Sequence, residues 1–151
     1  MRVPGIFWWP GRIQPSVQHE MATTMDLFPT CARLAGATLP DRTLDGIDIT
    51  PMLLGTGTVE RKAFMYYRGA TLYAARLGPW KAHFITRSGY GPDGPATHDP
   101  AWLFHLGEDP GEHWDRAAQH PEILARIADA VARHRASLDP VTTQLAETVG
   151  P

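Results

Sequence analysis

A single cysteine, Cys31, cannot close a disulfide within the chain, so covalent cross-links contribute nothing to its stability and the sequence carries no sign of an oxidising compartment. Basic residues are not in excess: 14 lysines and arginines stand against 16 aspartates and glutamates, for a net charge of -2. That balance leaves no clustered positive charge for nucleic acid or an anionic membrane surface. No run approaches the roughly 20 apolar residues of a membrane-spanning helix. No signal peptide is expected either, because the short apolar run after Arg2 is interrupted by Pro4 and Gly5 and ended by Pro10 and Gly11. Close histidine pairs are also missing. His19, His83, His98, His105, His113, His120 and His134 lack the spacing that puts two ligands on one helix face, so no metal site is expected in this chain.

What is present is an ordinary globular composition. The 151 residues are 43% hydrophobic and 20% charged, enough to bury a substantial core. Val3 to Trp9 is apolar with little alternation and predicts a strand covered on both faces, ended by Pro10-Gly11. Thr23 followed by Asp26 predicts a capping-box helix start, and Gly36 the stop. Leu27, Phe28, Cys31, Leu34 and Ala35 recur at helical spacing, so Cys31 is expected to be a buried, inert thiol on the apolar side. Pro29 fits in the first turn of that helix. Ala37 to Thr58 is rich in turn formers and reads as a connection, with one helical turn from Thr50 to Leu54 capped by Thr50.

Ala63 to Tyr67, Thr71 to Leu77, Trp80 to Thr86 and Trp102 to Leu106 predict four short strands, the first three joined tightly enough to be antiparallel. Arg87 to Ala101 is read as an irregular Gly/Pro-rich excursion. Pro121 and Glu122 open a last helix with Leu124, Ile127, Val131 and Leu138 on one face, His120 beside its start and His134 near its core side. The residues after Leu138 read as a frayed tail. Glu108, Asp109 and Glu112, around Pro110-Gly111, read as a solvated turn lacking the six to eight oxygens that calcium takes. His83, Tyr90 and His98 fall at a strand end and in the loop beyond it, where local hydrogen bonding on the surface and contact with a ligand are both open to them.

Several blocks stand in a familiar order: Trp9-Pro10-Gly11-Arg12-Ile13, Met25-Asp26-Leu27-Phe28-Pro29-Thr30, Leu44-Asp45-Gly46, Gly78-Pro79-Trp80-Lys81-Ala82-His83-Phe84 and Leu103-Phe104-His105-Leu106-Gly107-Glu108-Asp109-Pro110-Gly111-Glu112. The chain resembles the C-terminal region of an arylsulfatase-like sulfatase of the alkaline-phosphatase-like superfamily. The resemblance implies an α/β (α+β) fold: residues 1–58 as the last strand and helix of a large α/β domain with its connection, residues 59–139 as a small four-stranded antiparallel sheet with a packed C-terminal helix, and residues 140–151 as tail. It further implies, for a full-length parent, sulfate-ester hydrolysis at a formylglycine made from Cys-x-Pro-Ser-Arg, with calcium or another divalent cation. Both belong to a region N-terminal to this one, and Cys31-Ala32-Arg33 does not match that motif.

On this reading the chain is a closing portion without its catalytic half and is expected to turn over nothing alone. The missing half is its expected partner, with a small sulfate ester as the parent's substrate; oligomerisation and an exported parent, whether periplasmic, secreted or lysosomal, stay open. The segment holding His83, Tyr90 and His98 is implied to shape the substrate pocket, although some members place a histidine near Tyr90-Gly91 and this chain does not. Arg2 is expected to bridge its strand to carboxylates of the missing half, and Asp26 to serve structurally. Two other readings are a separately encoded non-catalytic module, and the C-terminal part of a related phosphodiesterase or phosphonate hydrolase.

Overall fold

The computed structural model describes residues 3–89 and 93–138. Arg2 and Tyr90 lie outside them. The chain divides into two compact units between Arg61 and Lys62.

In the first unit a 3-10 turn (Thr24–Asp26) leads into α1 (Leu27–Leu34). The capping box forms as the sequence requires: Thr23 N–H donates to Asp26 Oδ2 at 2.6 Å. Pro29 sits in the first turn of α1, where its missing N–H leaves no helical bond unmade. Gly36, at φ +66°, ends the helix, its N–H reaching Arg33 O while Ala37 N–H reaches Ala32 O. That pair of bonds satisfies carbonyls the helix would otherwise orphan, and needs a left-handed residue between them. The connection then returns past the start of α1. Gly46 runs so close that a Cβ there would lie 2.0 Å from Met25 O. Only glycine lets Ile47 N–H reach Asp26 Oδ1 at 2.9 Å. α2 (Thr50–Leu54) follows, with Met52 and the preceding Ile49 buried.

Three expectations are corrected here. Val3 to Trp9 forms no strand, for nothing among the described residues offers its backbone a ladder, and a two-sided strand cannot exist without neighbours. Cys31 is exposed, as are Leu27, Phe28 and Leu34, because the helix buries Pro29 and Thr30 instead. Thr50 is the first residue of α2 rather than its cap; Asp48 Oδ1 takes the Thr50 N–H at 2.8 Å.

The second unit is a four-stranded antiparallel sheet in sequence order, β1 (Phe64–Arg68), β2 (Thr71–Leu77), β3 (Trp80–Thr86) and β4 (Ala96–His105), with α3 (Pro121–Ser137) packed on it. β4 begins six residues before the expected Trp102. A register shift between His83 and Ile85 lets Ile85 and Thr86 go on to pair with Thr97 and Ala96, turning part of the expected loop into ladder. The core lies between α3 and one sheet face, made of Leu72, Ala75, Ala82, Leu103, Ala117, Ile127 and Val131. Leu138 does not join it: it follows the helix and is 49% exposed. His120 stands immediately before α3 without capping it by its side chain and packs its ring 4.6 Å from Trp80, and His134 meets Tyr67 OH at 3.0 Å.

Candidate functional site

Side chains of successive strand residues leave on opposite faces, so the core membership of Trp80, Ala82 and Phe84 fixes where their neighbours go. Lys81 and His83 stand on the face turned away from α3. Register extends this into two rows: Tyr66, Ala74, His83 and Trp102 across the four strands, and Arg76, Lys81 and Phe104 beside them.

Glu112 ties the rows together. Its Oε1 accepts from Lys81 Nζ at 2.6 Å and its Oε2 lies 2.8 Å from His83 Nε2. Lys81, only 6% exposed, also stands over the Tyr66 ring at 4.8 Å, a cation–π contact. The His83 ring meets Phe104 edge-on at 5.7 Å. Glu112 holds φ at +57°, a conformation that costs a non-glycine residue about 1–2 kcal/mol and persists only where surroundings impose it. The surroundings are a tied-down turn. Asp109 is 3% exposed and its carboxylate accepts from His113 N–H at 2.6 Å and Trp114 N–H at 2.9 Å, while Glu112 N–H donates to Asp109 O. The expectation of a solvated acidic turn is therefore corrected for two of its three acids: Asp109 is a buried turn anchor and Glu112 reaches the sheet, while the Glu108 side chain is exposed as expected.

These contacts set the charges. Burial would raise the Glu112 carboxyl, but the Lys81 ammonium and His83 outweigh it and hold the group below its ordinary range. Burial lowers His83, the Lys81 charge lowers it further, and Glu112 only partly offsets them, so His83 resists protonation. Farther along the same two strands, His98 Nε2 lies 2.8 Å from Thr86 Oγ1, and its ring stacks on Trp102 at 3.8 Å. Trp102 is 42% exposed.

Of the expected site residues, His83 and His98 thus share one pair of strands, each engaged in local bonds. In the first unit Asp26 is fully buried, accepting from Thr23 N–H, Ile47 N–H and the Arg61 guanidinium. Sequence reading missed Lys81, Trp102 and Glu112. A lysine two residues before a histidine inside an apolar strand was the available signal for the first, since i and i+2 share a face.

The calcium site implied for the parent does not fit these residues. Glu112 is taken by Lys81 and His83 and Asp109 by backbone N–H groups, and among the described residues no group of three His, Cys, Asp or Glu could hold a metal. No helix among the described residues is long and apolar enough to cross a membrane.

A sequence family described as the C-terminal region of aryl-sulfatase matches residues 59–150. Arylsulfatase A of Bos taurus is 40% identical over 149 residues, covering 87% of this chain and 29% of the relative. N-acetylgalactosamine-6-sulfatase of Homo sapiens is 39% identical over 170 residues, covering 96% of this chain and 32% of that protein. The chain therefore spans about a third or less of the length of these relatives. Among solved structures, a sulfatase from Pseudoalteromonas sp. superposes with a TM-score of 0.62 at 26% identity, over 74% of this chain and 25% of that one. A Bacteroides thetaiotaomicron protein solved in connection with glycosaminoglycan metabolism reaches 0.67 at 24% identity, over 85% and 28%.

Proposed function

Because the chain belongs to the aryl-sulfatase family, whose C-terminal region it carries, we propose that it is the closing portion of a sulfuric ester hydrolase and turns over no substrate by itself. It would work joined to a catalytic portion that supplies the formylglycine and the divalent cation. The observation that carries this reading is the apolar surface of the first unit. Val3, Ile6 and Trp8 are 79%, 90% and 83% exposed, and Phe28 on α1 is 54% exposed. Apolar side chains of this size left in solvent mark surface made to be covered. In the same reading the end of β3, the connection containing Tyr90 and the start of β4 form part of the substrate pocket wall, with His83 and His98 contributing to it.

The test is to translate the genomic DNA upstream of the Met1 codon in the same frame and to assay the resulting chain. Cys-x-Pro-Ser-Arg upstream, with hydrolysis of 4-nitrophenyl sulfate by the joined protein and none by residues 1–151 alone, supports the reading. A joined protein that cleaves a phosphodiester or phosphonate instead would assign the scaffold to a related hydrolase. An in-frame stop codon and a ribosome-binding site before Met1 would favour a separate module.

A further inference from the structure

The geometry points to Glu112 as a positioning residue that fixes His83 in the tautomer with the proton on Nε2, so that Nδ1 is left as a hydrogen-bond acceptor. An ionised carboxylate can only accept, and a neutral imidazole carries one N–H and one bare nitrogen. With Glu112 Oε2 at 2.8 Å from Nε2, the proton must sit there. The other oxygen cannot exchange roles, being held by Lys81 at 2.6 Å. Among the described residues nothing bonds Nδ1. A group that meets His83 there must therefore donate: a hydroxyl or an N–H of the substrate's alcohol portion, rather than the sulfate anion, which has only acceptors to offer. This rests on the reading above that His83 belongs to the pocket wall. The left-handed backbone at Glu112 is consistent with the role, since the turn holds a costly conformation in which one carboxylate spans both partners.

The experiment reads the tautomer directly, by long-range proton–nitrogen correlation on the 15N-labelled 151-residue protein, with His83 assigned by its loss in His83→Gln. Wild type is expected to show a protonated Nε2 and a bare Nδ1. In Glu112→Gln the amide oxygen must face Lys81, a pure donor, which turns the amide NH2 toward His83. Nε2 must then accept, and the tautomer is expected to reverse. Lys81→Met, which keeps the carboxylate, is expected to leave it unchanged. A bare Nε2 in wild type, or an unreversed tautomer in a folded Glu112→Gln protein, would overturn the assignment. If Glu112→Gln fails to fold, the wild-type and Lys81→Met spectra decide alone. The pocket reading is tested separately: an unchanged kcat/KM for His83→Ala in the joined enzyme would remove it and leave the tautomer result standing.

Discussion

Asp26 shows how one side chain can hold a segment closed. Its carboxylate starts α1, catches the returning connection at Ile47 and takes the Arg61 guanidinium, whose side chain is 7% exposed. Asp26→Ala would leave a buried cation without its counter-ion, and a loss of about 3–5 kcal/mol is expected, read as a lower urea midpoint. Protonation should act in the same direction. His83 is held below 6.5 when folded, so the unfolded chain takes up a proton that the native one refuses, and stability falls as pH drops below 6.5. Glu112 and Asp26 are depressed from 4.5 and 3.8, the latter by hydrogen bonds and Arg61 overcoming burial. Their contributions are complete above those values and are lost as pH falls through the lower folded ones. Urea midpoints should therefore fall in two stages, and His83→Gln should remove the first. The capping half of the Asp26 role was legible because Thr23 stands three residues away. The Arg61 half was not, since 35 residues separate the pair. Glu112 was misread for the same reason: locally it is one acid in a polar turn, and its partners lie 31 and 29 residues back.

At the level of elements, legibility followed how far each one is decided by its own residues. β2 and β3 matched their expected spans because the short Gly69-Ala70 and Gly78-Pro79 turns set both ends of β2 and the start of β3, and aromatic and aliphatic residues fill them. β4 was undercounted because its first half is polar, and it becomes strand only by pairing with β3 beyond the register shift. Val3 to Trp9 erred in the opposite way: composition can make a segment suitable for a sheet but cannot supply its neighbours. α3 was read almost whole from its period, Leu138 excepted. Ile127, 1% exposed at the centre of its buried stripe, is the residue that fastens the helix to the sheet. Ile127→Ala should cost about 2–5 kcal/mol, seen as a drop in the thermal midpoint, because the lost side chain leaves a cavity as well as unburied area.

For the molecule as a whole, apolar exposure is uneven. Most of the large exposed hydrophobic side chains among the described residues fall before Arg61, while Ala74, Ala75, Ala82 and Leu103 are all nearly inaccessible in the second unit. Phe28→Asp should consequently shift the stability of the 151-residue chain by no more than about 0.5 kcal/mol. Its soluble fraction should rise, and the same change in the joined enzyme should lower its yield. Centrifugation assays of both forms would separate the two effects. The boundary between the units has a consequence of its own for limited proteolysis. Trypsin must draw an extended basic side chain into its specificity pocket, and two candidates stand side by side. Arg61 is held against Asp26, whereas Lys62 is exposed. Brief digestion followed by mass spectrometry should therefore find the cut after Lys62 well before any after Arg61, and Asp26→Ala should make the two sites equal.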